Sequence, residues 1–299
     1  MERSKTALAW GGVLLAGALW GGCALVAQQL MAGGMLPTSL ALARFALGLP
    51  LLWAWAWHAA RRVQPSPVPQ PWPWRVRALV LGTGAAMALS VGCWFMAITL
   101  MGAALPTVIS VCCAPVFVAL IATLRGYERM DARLLRGLAL ALLGTALLVL
   151  PGDGWRLPED QWMGVAWSLG AAVMHALVVL GNARMPRLVS PLAASAWGMT
   201  AATACTAAVA LAQGLTWPRG TAQWLGAGYT GVVTTALAYV AFAWGARRLG
   251  PTAAVVGTLV EPLVAALLAA ALLGEALGFA QVAGALVLCT AILALSRRG

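Results

Sequence analysis

Runs of roughly 20 apolar residues recur along the whole of this chain with almost no fixed charge inside them, and that is the length a helix needs to cross about 30 Å of hydrocarbon. Lipid offers no partner to a backbone N–H or C=O, so such runs have to satisfy their backbone internally, as helices. Hydrophobic residues make up 62% of the 299 and charged residues 9%, against about 25% charged in a soluble domain. The expected class is an all-α integral membrane protein. Ten spans can be placed, at roughly 6–30, 38–58, 77–100, 106–124, 132–150, 161–180, 190–212, 223–247, 251–273 and 277–296. The first is too long an apolar run for the h-region of a signal peptide.

The basic residues sort the connections into two sets. The connections between spans 2 and 3, 4 and 5, 6 and 7, and 8 and 9, with the two termini, hold 16 of the 19 lysines and arginines, whereas the alternate connections hold only Arg156 and Arg219. By the positive-inside rule both termini are expected in the cytoplasm, with an even number of spans. The net charge of +11 is then a matter of topology, and no nucleic-acid partner is expected. The proline-rich stretch 64–73 falls on the cytoplasmic side and reads as a stiff spacer; 151–160, with three of the eight acids, falls outside.

One stretch is written twice. Superposing Pro115 on Pro262 also superposes Glu128 on Glu275 and Phe95 on Phe242, all at an offset of 147 residues. An internal duplication of five spans follows, and because five is odd the second copy enters the membrane in the opposite sense. Two inverted five-helix repeats are a transporter architecture, with the substrate site near the midplane between them. A proline inside a span removes an i to i−4 hydrogen bond and frees a carbonyl, so Pro115 and Pro262 are either packing kinks or a matched pair of hinges beside the lumen.

Arg44 and Glu261 are the fixed charges placed inside spans, and each costs a few kcal/mol facing lipid, so both are expected to face the interior. They either bind the carboxylate and the amine of a zwitterionic substrate, with Glu261 also a candidate for proton coupling, or form a structural charge pair. His175 is a packing residue or a proton carrier. Nine tryptophans cluster at span ends as an interfacial belt, while Trp20, Trp94, Trp167 and Trp197, with Phe95 and Tyr239, lie deeper and are candidates for a cavity wall. The six cysteines show no metal or redox spacing and read as packing residues. No P-loop, HExxH or GxSxG occurs, so ATP-driven transport, hydrolytic chemistry, a metal site and a cofactor are all unexpected.

Trp20-Gly21, Arg44-Phe45, Gly102-Ala103, Ala114-Pro115-Val116-Phe117, Gly250-Pro251, Glu261-Pro262 through Leu273-Gly274-Glu275, and Gln281 with Gly284 together resemble the ten-helix EamA-type exporters of the drug/metabolite transporter superfamily. The resemblance implies one EamA-type repeat over residues 1–150, a periplasmic connection over 151–160 and a second, inverted repeat over 161–299. It implies an exporter of small metabolites in a bacterial inner membrane, commonly of amino acids; its aromatic amino acid exporters are the nearest guess. On that reading the substrate-binding residues are Arg44, Glu261, Trp20, Phe95, Trp167, Tyr239 and His175, the hinges are Pro115 and Pro262, and the partners are a small-molecule substrate, membrane lipid and protons as a coupling ion. A broad exporter of cationic drugs is the alternative, and an intramembrane enzyme or lipid-binding protein the remote one.

Overall fold

The computed structural model describes residues 2–62, 72–127, 129, 131–149, 162–186, 189–273 and 279–296. The 151–160 connection, most of the proline-rich stretch, Glu128 and Glu275 lie outside the described residues. The described residues are helical, with no strand among them. In chain order the helices are α1 (Glu2–Trp20), α2 (Cys23–Ala32), α3 (Pro37–Arg62), α4 (Trp74–Met101), α5 (Ala104–Leu124), α6 (Ala132–Val149), α7 (Trp162–Ala183), α8 (Pro191–Gln213), α9 (Gly220–Gly228), a π-helical segment (Tyr229–Leu237), α10 (Ala238–Ala246), α11 (Pro251–Gly257), α12 (Val260–Leu273) and α13 (Phe279–Ser296). Seven runs are long and apolar enough to cross a membrane, and three shorter apolar helices, Leu134–Leu147, Pro251–Ala265 and Val282–Ala294, complete the ten among the described residues. Span 1 is α1 with α2, span 8 is α9, the π segment and α10, and span 9 is α11 with α12.

Local chemistry sets the helix starts. Pro191 and Pro251 sit at the first turn of α8 and α11, where no N–H is required; the Ser190 hydroxyl caps α8 by accepting from Ala193 N at 3.1 Å, and the Asp131 carboxylate caps α6 through Leu134 N at 2.7 Å.

The two ends of the bundle are chemically distinct. Arg184, between spans 6 and 7, lies over the Tyr127 ring beyond span 4, and Arg247, after span 8, donates to the Pro186 carbonyl. Arg61 lies over Trp57 and Arg248 over Trp244 at this same end. The opposite end is tied by neutral hydrogen bonds from Leu36 N to Thr216 and from Gln223 to the Gly33 carbonyl.

Packing between the halves is symmetric under their exchange. α4 packs on α7 as α1 packs on α10, and α4 packs on α8 as α3 packs on the π segment, while α3 with α8 and α6 with α13 map onto themselves. Glycines make the tight crossings, as expected where lipid provides no hydrophobic drive. A Cβ on Gly84 would run into the Gly198 backbone, and one on Gly48 would lie 2.6 Å from the Gly231 carbonyl oxygen. Gly84 and Gly231 are 147 residues apart, so the two crossings are the same crossing in the two halves. Gly84→Ala is expected to destabilise the protein by about 1–3 kcal/mol, whereas Gly11→Ala, with nothing within 4 Å of the added carbon, stabilises by up to about 1 kcal/mol. Thermal unfolding of the two variants in detergent measures the contrast, and equal midpoints would contradict it.

Candidate functional site

Three helix interruptions converge on the middle of the bundle, from spans 1, 8 and 9. Span 1 breaks at Gly21–Gly22. A Cβ on Gly21 would lie 2.8 Å from Val264 Cγ1 and 3.1 Å from the Glu261 carbonyl oxygen, so only glycine lets this break rest on the first turn of α12. Span 9 breaks at Thr258–Leu259, where Glu261 N donates to the Thr258 carbonyl at 2.9 Å. In an unbroken helix that carbonyl would be served by residue 262, but Pro262 has no N–H. The sequence motif Glu261-Pro262 thus starts a new helix and sets Glu261 in its first turn, where the helix dipole favours an anion.

Span 8 runs as a π-helix from Tyr229 to Leu237, a wide turn often found at functional positions. Its altered ladder presents the Thr234 carbonyl sideways, and that oxygen accepts from Trp20 Nε1 at 2.7 Å and from Arg44 Nη2 at 3.4 Å. Arg44, only 3% exposed, also donates from Nε to the Thr235 hydroxyl at 2.6 Å and from Nη1 to Cys23 Sγ at 3.4 Å, and Cys23 Sγ meets the Thr234 hydroxyl at 3.4 Å. The guanidinium therefore binds spans 1, 2 and 8 into one cluster and leaves two of its five N–H groups without a partner among the described residues. No hydrogen bond or ion pair joins it to Glu261 among the described residues.

Between the halves lies a cavity of about 90 Å³, lined by Trp20, Cys23, Arg44, Ser90, Trp94, Thr107, Ser110, Ala114, His175, Tyr239, Thr258 and Glu261, among others. Most of its polar side chains are already committed. Ser90 donates to the Ala171 carbonyl, Ser110 to that of Ser168, and Trp94 to the Thr107 hydroxyl. The carboxylate of Glu261, the imidazole of His175 and the phenol of Tyr239 have no hydrogen-bond partner among the described residues. The wall beside them is aromatic: the Trp20 ring centroid is 5.1 Å from Tyr239, 6.0 Å from His175 and 5.7 Å from Phe242.

Six of the residues singled out from the sequence, Trp20, Arg44, Trp94, His175, Tyr239 and Glu261, meet at this cavity. Two do not line it. Phe95 is fully buried behind Trp94, with centroids 5.3 Å apart, and its counterpart Phe242 is fully buried behind Trp20 and His175. Trp167 is 36% exposed on the outer surface, and Trp197, also outward, stacks edge-on against Trp53 at 5.1 Å. Pro115 and Pro262 are buried beside the lining residues Ala114 and Glu261, but α5 runs unbroken through Pro115. Sequence reasoning passed over Cys23, Thr234 and Thr235, which form the arginine cluster, and Ser90, Thr107 and Ser110; a hydroxyl in an apolar helix gives no sign of which way it faces. No group of three or more His, Cys, Asp and Glu side chains suited to a metal occurs among the described residues.

A model of the EamA-like transporter family matches residues 8–150 and again residues 162–297. The chain belongs to the EamA-like transporter family. This EamA-like transporter is thus a multi-pass membrane protein with two repeats. It is 28% identical over 182 residues to an uncharacterized transporter of Archaeoglobus fulgidus, a match covering 60% of this chain and 63% of that relative. Its fold is also that of a protein crystal structure with which it shares 21% identity and a TM-score of 0.78, over 97% of each chain.

Proposed function

We propose that the EamA-like transporter exports α-amino acids with aromatic or large apolar side chains, through the cavity between its halves. The observation that carries this is the Glu261 carboxylate, which lines the cavity with no hydrogen-bond partner among the described residues, together with the Trp20, Tyr239 and His175 rings. An anion in an aromatic wall recruits an ammonium group by charge-assisted hydrogen bonding and by cation–π attraction. The two remaining N–H groups of Arg44 suit a carboxylate, and the rings suit an apolar side chain. Export is the direction that the resemblance to EamA-type exporters implies, and the arginine asymmetry supports a cytoplasmic position for both termini and the arginine-rich end.

Alternating access would come from one half rocking on the other, with Pro115 and Pro262 as hinges. The break at Thr258–Leu259 makes span 9 the more deformable of the pair. Pro262→Ala restores a donor for the Thr258 carbonyl and is expected to slow flux about tenfold, in part through weaker binding at a displaced Glu261; Pro115→Ala, in a continuous helix, changes flux by less than threefold. Counterflow rates against half-saturating substrate separate the two effects, and equal slowing in both variants would remove the asymmetry.

The unpartnered carboxylate also favours a second reading, a cationic drug with no carboxylate. Against it, the donors that Arg44 leaves without a partner among the described residues give a carboxylate-bearing substrate a second point of attachment at the same cavity. Proteoliposome uptake of labelled Phe, Trp, Thr and Met, with and without a pH gradient, tests the proposal. Saturable uptake of Phe and Trp is expected; no flux of any of the four would sink the substrate class, and flux indifferent to the gradient would remove the proton as coupling ion.

A further inference from the structure

We infer that the arginine-rich end of span 8 carries a site for one anionic phospholipid, separate from the transport cavity. A groove of about 370 Å³ opens there between Trp55 and Ala59 of α3, Leu192 of α8, and α10. From span 8 it takes Leu237, Val240, Ala241 and Trp244, residues at the three- and four-residue spacing of a single helix face. Tyr239, which lines the cavity, and Phe242, packed behind Trp20, lie on the opposite face of the same helix. The groove therefore looks away from the lumen, and its lining is apolar apart from Ser190. In a multi-pass membrane protein an outward apolar groove of this kind holds an acyl chain.

Charge selects the headgroup. Arg248, four residues beyond Trp244, continues the groove face; its guanidinium lies 4.0 Å from the Trp244 centroid and its Nη1 donates to the Trp244 carbonyl at 2.7 Å. It is exposed, so its remaining donors are available at the mouth of the groove. Beside it Arg247 donates from Nη2 to the Pro186 carbonyl at 2.6 Å, while its Nη1 is buried without a hydrogen-bond partner among the described residues. Pro186 begins the short connection whose last residue, Ser190, lines the groove. Two adjacent guanidinium groups, the second of them exposed, at the membrane-surface end of an apolar groove match a phosphate diester joined to an acyl chain. A zwitterionic headgroup would bring a second cation to the same place.

Native mass spectrometry of the full chain, titrated with dioleoyl phosphatidylglycerol or dioleoyl phosphatidylcholine, tests the site. One phosphatidylglycerol is expected to be retained at least fivefold more strongly than phosphatidylcholine. Arg248→Gln reduces that retention about fivefold, and Ala59→Trp, which fills the groove, abolishes it. Arg248 is exposed, so its variant keeps the fold and decides the matter if Ala59→Trp does not assemble. Millimolar inorganic phosphate leaves the lipid bound. Equal retention of the two lipids, retention indifferent to Arg248→Gln, or displacement by phosphate alone would each overturn the inference, the last by showing a site for the headgroup without the chain.

Discussion

Glu261→Gln is expected to lower amino acid flux by about ten- to a hundredfold while leaving the unfolding midpoint where it is. The flux term follows from losing one charge-assisted contact to a substrate ammonium, about 1.5–3 kcal/mol. Stability is spared because the carboxylate has no hydrogen-bond partner among the described residues and glutamine fills nearly the same volume. Glu261→Asp keeps the charge but withdraws it by one methylene, and so should fall between the two. Flux in proteoliposomes with thermal unfolding of the same preparations gives both numbers. A glutamine variant that transports normally would show that the charge beside Pro262 serves the helix start and not the substrate.

Arg44 is expected to behave in the opposite way, with stability hit first. Its guanidinium holds Thr235, the Thr234 carbonyl and Cys23 at once, a planar fork that lysine cannot reproduce. Arg44→Lys keeps a buried charge and strands it, at a cost of about 3–5 kcal/mol, whereas Arg44→Met removes the charge and its desolvation together and costs less. The lysine variant is therefore the less stable of the two, which is the reverse of the order a simple substrate-carboxylate ligand would give. Detergent unfolding midpoints rank them, and lysine outlasting methionine would refute the structural part assigned to Arg44.

The ten spans were legible because crossing hydrocarbon fixes both length and composition, and the repeat was legible because Phe95, Pro115 and Glu128 recur at one offset. Pro262 announced the break in span 9, since a missing N–H is written in the residue type. Other features were not written so plainly. The π segment contains no proline, and its partners Arg44 and Trp20 come from spans about 190 and 214 residues away. Which aromatics face the cavity was also hidden. In a soluble helix polarity separates the two faces, but here the outer face meets lipid and is as apolar as the inner one, so Trp167 and Trp20, at equivalent places in the two halves, read alike and point differently. The arginine cluster has no counterpart in the other half: at the 147-residue offset Cys23 corresponds to Gly170, Thr234 to Met87 and Thr235 to Ala88. The duplication therefore preserved the helix crossings, while the polar chemistry was concentrated on spans 1, 2, 8 and 9.

Binding of three matched ligands puts the central claim to its most direct test. Phenylalanine, phenethylamine and 3-phenylpropionate share one ring and differ in which charged end is present, and their affinities for the detergent-purified protein can be compared by competition against labelled phenylalanine. If Glu261 receives the ammonium and the remaining donors of Arg44 the carboxylate, phenylalanine binds best, phenethylamine retains most of that affinity, and 3-phenylpropionate loses about ten- to a hundredfold; Glu261→Gln erases the advantage of the two amines. Equal binding of 3-phenylpropionate and phenylalanine, with no change on Glu261→Gln, would contradict the account.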